Sequence, residues 1–271
     1  MKTSANSDGI ATTPSLNVYL LRSSLVAALG GLLFGFDTAV ISGATKALSE
    51  TFALSPVTLG VTVSSALWGT VLGSLGAAAP SDRYGRRRCL RVLGALYLVS
   101  SVGCAFAWSW AALIVFRAIG GLAIGASSVI GPMYIAEISP AARRGRLVGF
   151  FQMNVVVGIL LAYLSNSLVA SAGFGDSEWR WKFGMVAIPA AAFLFALFGI
   201  PESPRWLIAA GRMEEAREVL QRVGERNPER DLHEIEETLK TQSGIRREPL
   251  FQSRYRKPIF LAISIGIFNQ L

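Results

Sequence analysis

One acidic and one basic side chain stand inside stretches of sequence that are otherwise apolar. Asp37 lies in AALGGLLFGFDTAVISG, and Arg117 lies in LIVFRAIGGLAIGASSVIGPMYIA. A charge near the centre of a bilayer costs roughly 3 kcal/mol or more, so such a charge usually has a function and a partner. We therefore predict that Asp37 and Arg117 pair in the interior of a helix bundle, where the carboxylate could gain and lose a proton.

Uncharged amides inside apolar stretches form a second group of candidates. Gln152 lies in GFFQMNVVVGIL, where an amide without a partner is costly. Because an amide both donates and accepts hydrogen bonds, Gln152 could bind a hydroxyl-rich ligand such as a sugar, and it could equally bind a neighbouring helix. We expect the similar residues Asn154 and Asn166 to be structural.

The composition places these residues in a membrane. Of the 271 residues, 52% are hydrophobic and 16% are charged, and the mean hydropathy is +0.45, whereas soluble chains carry about 25% charged residues. The net charge of +8 does not indicate nucleic-acid binding, because the basic residues cluster at the ends of hydrophobic stretches. Cys89 and Cys104 are too few for a disulfide framework. The sequence shows no metal-ligand constellation and no nucleophile–base arrangement, so it predicts no enzyme, cofactor or metal site.

Six apolar stretches are each close to the ~20 residues that a helix needs to cross a bilayer. They are residues 20–43, 57–79, 90–109, 111–136, 147–170 and 183–200. The sequence accordingly divides into a disordered cytoplasmic tail at 1–19, a transmembrane bundle at 20–200, a cytoplasmic helical segment at 201–253 and the truncated start of a seventh transmembrane helix at 254–271.

The basic residues also orient the spans. With a cytoplasmic N-terminus, ten Lys and Arg residues lie on the inner side through the fifth span, against three on the outer side. This is a clear positive-inside bias. We therefore predict an integral protein of the plasma membrane with its N-terminus in the cytoplasm. The three outer residues are Lys46, Arg180 and Lys182.

Four pairs of a polar residue and a proline predict helix N-termini, because the polar side chain can cap the helix and proline fits its first turn. They are Ser55–Pro56, Ser139–Pro140, Ser203–Pro204 and Asn227–Pro228. The last two would open amphipathic helices in the cytoplasmic segment, with a charged linker as the alternative. The expected apolar faces are Met213, Ala216, Val219, Leu220 and Val223, and then Leu232, Ile235 and Leu239.

Four short segments occur in order at the ends of the predicted spans: SDRYGRRR at 81–88, PMYIAEISPAARRGRL at 132–147, PESPRWL at 201–207 and IFNQL at 267–271. Together they resemble the signatures of the sugar porter family of the major facilitator superfamily. Ala78 stands where the signature G-x-x-x-D-R-x-G-R-R has glycine, and Asn269 replaces the first glutamine of the seventh-span motif. The resemblance implies an all-α polytopic membrane protein: the six-transmembrane-helix N-terminal bundle of the major facilitator fold, with cytoplasmic helices and the start of a seventh span.

The resemblance also implies a function, namely secondary active transport of a monosaccharide by alternating access. Asp37 matches the proton-coupling carboxylate of symporters, a position that is usually uncharged in passive facilitators, and Arg117 matches its partner. The positions that match sugar-binding residues are Phe34, Gln152, Ile159, Asn269 and Gln270. The cytoplasmic charges that would form a salt-bridge gate between two halves are Asp82, Arg83, Arg87, Glu137, Arg144, Glu202 and Arg205.

The implied partners are a monosaccharide, the proton as coupling ion, the lipid bilayer and a missing C-terminal half. Two alternatives stay open. One is a passive sugar facilitator of the same fold, against which Asp37 argues. The other is a non-transporting membrane fragment or sensor, for which the sequence beyond Leu271 would decide. Hexose, pentose and polyol all remain possible substrates.

Overall fold

All regular structure in the described part of the chain is helical, which confirms the predicted all-α class. The computed structural model describes residues 17–224, 227–244 and 255–268. Its helices are α1 Val18–Phe52, α2 Pro56–Gly76, α3 Ala78–Tyr84, α4 Arg86–Ala105, α5 Trp110–Ile138, α6 Arg144–Ser171, α7 Glu178–Met185, α8 Ala187–Ala196, α9 Pro204–Ala209, α10 Met213–Val223, α11 Pro228–Gly244 and α12 Arg256–Phe268.

Within the described residues, six segments are long and apolar enough to cross a membrane. They are α1, α2, α4, α5, α6 and the segment Gly175–Gly199, which contains α7 and α8. All six predicted spans are therefore present. The first is longer than expected: α1 continues past residue 43 because Leu48 is fully buried and Phe52 packs 5.6 Å, centroid to centroid, from Trp179.

Three of the four predicted proline-led helix starts are correct, namely those of α2, α9 and α11. The fourth, at Ser139–Pro140, is wrong. Ser139 ends α5, and its hydroxyl donates to the carbonyl of Ile135 one turn earlier. The following residues form a turn in which the N–H of Arg144 donates to the carbonyl of Pro140 at 3.0 Å. Helix α6 therefore begins only at Arg144.

Two pairs of spans meet backbone to backbone along rows of glycine. In the α1–α6 pair, a Cβ on Gly35 would overlap the carbonyl oxygen of Val155, and a Cβ on Gly158 would overlap that of Leu32. Such close contact between helices requires residues without side chains. The same relation holds across the α2–α5 pair for Gly69, Gly73, Gly121 and Gly125.

These two glycine contacts occupy equivalent places in an internal repeat. The spans α1, α2 and α4 form one triplet, and α5, α6 and the α7–α8 segment form the other. The first span of each triplet packs on the second span of the other, since α1 lies on α6 and α5 lies on α2. This is the relation expected of the inverted repeats from which transporter folds are built.

The segment after the sixth span forms packed helices rather than a charged linker. Four of the five predicted apolar residues of α10 are buried, and so is Leu232 of α11, whereas Met213, Ile235 and Leu239 are half-buried. The two helices are joined by an ion pair in which Arg217 Nε lies 2.6 Å from Glu229 Oε1. The amphipathic pattern therefore predicted both helices, and five of its eight apolar positions are buried.

Asn17 joins the start of α1 to the end of α10. Its Oδ1 accepts from the backbone N–H of Tyr19 at 2.8 Å and so caps α1. Its Nδ2 donates to the carbonyl of Arg222 at 2.6 Å, in the last turn of α10. One amide therefore satisfies backbone groups at the ends of two helices.

Some predictions fall outside the described residues: the tail at 1–16, part of the 201–253 segment, and the sugar-site candidates Asn269 and Gln270. The predicted tail extends to residue 19, whereas α1 already begins at Val18. Of the predicted seventh span, the structure describes α12.

Candidate functional site

The structure brings Asp37 and Arg117 together, as the sequence predicts. Asp37 Oδ2 on α1 lies 3.9 Å from Arg117 Nη2 on α5. The side chain of Arg117 is 3% exposed and that of Asp37 is 18% exposed. The guanidinium is thus enclosed by protein, while the carboxylate keeps limited access to the surface of this bundle.

Arg117 depends heavily on this one partner. Its Nε and Nη1 atoms are buried and have no hydrogen-bond partner among the described residues. Its guanidinium carbon lies 5.5 Å from the centroid of the Phe183 ring, a cation–π contact. The nearby phenol of Tyr97 is directed elsewhere, since its hydroxyl donates to the carbonyl of Leu33 at 3.3 Å. Removing the charge of Asp37 would therefore leave a buried cation without a counter-ion.

The described candidates for sugar binding lie on the neighbouring helices α1 and α6. Phe34 and Ile159 are half-buried, pack against the core and flank the close contact at Gly35. Gln152 is exposed and has no hydrogen-bond partner among the described residues. Its amide is therefore available to a ligand or to another helix.

The two amides predicted to be structural make hydrogen bonds to helix backbone. Asn154 donates to the carbonyl of Phe150 in its own helix at 2.8 Å. Asn166 is buried and donates across the α1–α6 interface to the carbonyls of Ala39 and Val40, at 3.5 and 3.4 Å. Both contacts fit the predicted role.

A second group of charges surrounds Glu137 at the opposite end of α5 from Arg117. Glu137 pairs with the buried Arg86 through two contacts of 2.9 Å, and it accepts a hydrogen bond from the Ser203 hydroxyl at 2.5 Å. Arg86 also lies 3.0 Å from Asp82. The carboxylate of Glu137 therefore connects α5 to the start of α4 and to the PESPRWL segment.

Glu202, the residue before Ser203, makes a parallel connection. Its Oε1 accepts from the backbone N–H groups of Arg87, at 2.9 Å, and Ser203, at 3.1 Å. Arg87 in turn donates through Nη1 to the carbonyl of Ile200 at 3.1 Å. Gly85 permits this contact because it has a φ of +93° and a Cβ there would lie 2.6 Å from Glu202 Oε2.

The remaining predicted gate residues lie around these two carboxylates. The guanidinium carbon of Arg83 is 5.3 Å from the ring centroid of Tyr84. A cavity of about 600 Å³ is lined by Asp82, Arg144 and Arg205 together with apolar side chains of α11. The partners of Glu137 and Glu202 all belong to this bundle and its adjoining helices, and contacts of the gate residues with a second half remain a prediction.

Sequence reasoning missed three members of these groups. Arg86 is one of three consecutive arginines, and only the fold shows that it is the buried one. Ser203 was predicted as a helix cap, and it also binds Glu137. Lys182 was counted as an outer-side charge, yet it is 5% exposed and pairs with Glu178. The spacing of Glu178 and Lys182, one helical turn, was the available signal.

An apolar groove of about 650 Å³ lies apart from these charges, between α2, α4 and α5. Leu72, Val92 and Leu122 form part of its wall. Because its lining offers few polar groups, it is a poor site for a hydroxyl-rich ligand.

Comparison with known proteins decides the family. Residues 23–271 match the family model described as sugar (and other) transporter. The chain belongs to this family. The match covers nearly the whole sequence, which confirms the resemblance inferred from the four short segments. It also identifies an integral membrane protein of a transporter family, not an enzyme.

Relatives within the family support the same assignment. The chain is 39% identical over 247 residues to the D-xylose transporter of Levilactobacillus brevis, covering 90% of this chain and 53% of that protein. It is 37% identical over 258 residues to the arabinose-proton symporter of Bacillus subtilis, covering 93% and 56%. The partially occluded, inward-open structure of the xylose transporter XylE from E. coli matches with a TM-score of 0.79 at 36% identity, covering 83% and 60%. The chain thus spans about half the length of these relatives.

Proposed function

We propose that this chain is the N-terminal half of a proton-coupled monosaccharide transporter that works by alternating access. The complete protein would place a second six-helix bundle against this one and bind the sugar between the two, near the middle of the membrane. The proposal rests on family membership and, above all, on one observation: the buried contact between Asp37 and Arg117.

That contact supplies a chemical basis for coupling. Arg117 is 3% exposed and has no second ion pair among the described residues. The free energy of keeping its charged guanidinium buried therefore depends on the charge of Asp37. Protonation of Asp37 removes this charge and releases Arg117. If the outward-open and inward-open states place the pair differently, the proton shifts the balance between them. A neutral residue at position 37 could not provide this link.

The proposed sugar site lies on the α1 and α6 side of the bundle. Phe34 would offer an aromatic surface to an apolar ring face, and Gln152 would exchange hydrogen bonds with hydroxyl groups. Ile159 would line the same cavity, and Asn269 and Gln270 would contribute from the seventh span. Two of the relatives are named for the pentoses xylose and arabinose and another for glucose, which favours a monosaccharide and leaves both pentose and hexose as candidates.

The proposed gate comprises the charges at the other end of the bundle. Asp82, Arg83, Arg87, Glu137, Arg144, Glu202 and Arg205 would join the two halves through salt bridges in the outward-open state. The Glu137 and Glu202 contacts support this proposal because they already hold α4, α5 and the PESPRWL segment as one unit. On the positive-inside rule this end faces the cytoplasm, which puts the N-terminus there, and we propose the plasma membrane as the location.

The test is transport by the natural full-length protein in liposomes. With an imposed inward proton gradient, the wild type should accumulate labelled pentose above its external concentration. Asp37→Asn should abolish accumulation and retain exchange of sugar across the membrane. Asp176→Asn, which changes an exposed carboxylate, is the matched control and should behave as the wild type.

Two results would contradict the proposal. Undiminished proton uptake with sugar in Asp37→Asn would remove the coupling role of Asp37. Saturable wild-type transport that is indifferent to the proton gradient would identify a passive facilitator.

A further inference from the structure

Lys182 is a buried charge that neither the coupling pair nor the proposed gate accounts for. It lies on α7 and is 5% exposed. Its ammonium group forms an ion pair with Glu178, one turn earlier on the same helix. It also donates to the carbonyl oxygen of Gly43 on α1 at 2.6 Å. Removing an ammonium group from water is costly, so its contact with the backbone of another span calls for a reason.

The part of α1 that Lys182 holds comes directly after Asp37. Asn166 of α6 donates to two carbonyls in the same stretch, those of Ala39 and Val40. Gly43 allows the approach, since a Cβ there would lie 2.5 Å from the Asn166 side chain. Polar side chains from two different helices thus hold the turn of α1 that follows the coupling carboxylate.

The same short helix also contacts Arg117. Phe183, the residue after Lys182, presents the ring on which the guanidinium of Arg117 lies. Phe183 in turn packs edge to face on Trp179, which packs on Phe52 at the end of α1. Helix α7 therefore touches α1 at a backbone carbonyl and α5 at the arginine of the pair.

We propose that Lys182 is a positioning residue for proton coupling: through Gly43 it fixes the height and rotation of α1 at which Asp37 faces Arg117. The inference rests on the proposed function above. Gly43 lies six residues beyond Asp37, roughly 9 Å along the helix axis. Lys182 therefore acts through the backbone of α1 and not as a substitute ion partner.

If Lys182 served stability alone, Lys182→Met would change the free energy of unfolding and leave proton coupling unchanged. Removing one partner of a buried ion pair is destabilising when the other charge stays buried. Methionine matches the length of lysine, and Glu178 is 27% exposed, so it can turn to water. Lys182→Met should thus retain the fold while it removes the hydrogen bond to Gly43.

The experiment measures the number of protons carried per sugar, together with sugar exchange, in the full-length protein in liposomes. Lys182→Met should keep exchange close to the wild type while the accumulation ratio falls about tenfold, the lower end of what the loss of one hydrogen bond to a charged group produces in an equilibrium. Lys182→Arg, which can still donate to Gly43, should restore much of the coupling. Lys46→Met, an exposed lysine on the same part of α1, is the control.

Each remaining outcome decides against the inference or for it. A Lys182→Met protein with wild-type coupling, whatever its thermal stability, overturns it. If that variant does not fold, the double variant Lys182→Met/Glu178→Gln decides, because it removes the hydrogen bond to Gly43 and leaves no unpaired charge. Normal coupling in the double variant also overturns the inference. Asp37→Asn is measured in parallel. If transport by Asp37→Asn stays coupled to protons, the proposed function fails. If Asp37→Asn is uncoupled and Lys182→Met is not, only the role of Lys182 fails.

Discussion

The contact between Asp37 and Arg117 should contribute to folding far more than an exposed ion pair does. At the observed 3.9 Å and an effective dielectric constant of about 20, two unit charges attract by about 4 kcal/mol. In Asp37→Asn this attraction is lost, while Arg117 stays buried. Breaking a buried pair by removing one partner costs about 3–5 kcal/mol. We expect a loss near the lower end, about 3 kcal/mol, because the asparagine oxygen can still accept from Arg117.

The double variant separates the charge from the packing. In Asp37→Asn/Arg117→Met the unpaired cation is gone and a side chain of comparable length fills its place. The free energy of unfolding should therefore return to within about 1 kcal/mol of the wild type. With Arg117→Met alone as the fourth member, the cycle isolates the coupling energy of the pair.

Equilibrium unfolding in mixed micelles, followed by tryptophan fluorescence, measures these differences. The chain supplies a matched control in the exposed pair of Arg212 and Glu215, whose atoms are closer, at 2.5 Å, but whose side chains are 42% and 53% exposed. Exposed pairs contribute about 0–1 kcal/mol. If Asp37→Asn costs no more than Glu215→Gln, burial does not strengthen the pair and the reasoning is refuted.

Three further predictions address the sugar site, the gate and the packing of the bundle. Gln152→Ala should weaken sugar binding by about 1–2 kcal/mol, or roughly 5–30-fold; unchanged affinity by calorimetry would assign Gln152 to structure. Glu202→Gln loses the carboxylate charge that accepts a hydrogen bond from the backbone N–H of Arg87; under the proposed gate it should raise labelling of the cavity at that end of the bundle, whereas unaltered labelling would argue against a gate. Gly35→Leu should destabilise the bundle by about 1–3 kcal/mol through overlap with α6, and Gly149→Leu, with open space around its Cβ position, should not; equal unfolding curves for the two would contradict the packing argument.

The spans could be predicted from sequence because the bilayer imposes a length and a composition on each of them. Hydropathy says nothing, however, about a helix that continues beyond the apolar stretch. The extension of α1 to Phe52 depends on a tertiary contact with Trp179. The false start at Ser139 has a similar cause, since a residue that can cap a helix can equally end one by bonding back to Ile135.

Some residues of the candidate site could likewise be predicted from sequence, whereas others became evident only from the fold. Asp37 and Arg117 are visible because each is the sole charge in its apolar stretch, and two such charges need each other. Lys182 lies near an apparent loop, where a lysine is ordinary, so its burial became evident only once α7 was placed against α1. Among the three adjacent arginines, burial of Arg86 is likewise a property of helix orientation and not of residue type.

The hydrogen bonds of Asn17 connect α10, which has an exposed face, to α1, so that α10 can report a movement of α1. Because one amide holds the first turn of α1 and the last turn of α10, a rotation of α1 must either carry α10 with it or break the connection. Glu218 lies on the exposed face of α10, so a spectroscopic label at that position would record the movement of the span that contains Asp37 without disturbing the packed interior. Loss of that signal in Asn17→Ala would distinguish movement transmitted by the amide from movement of the whole bundle.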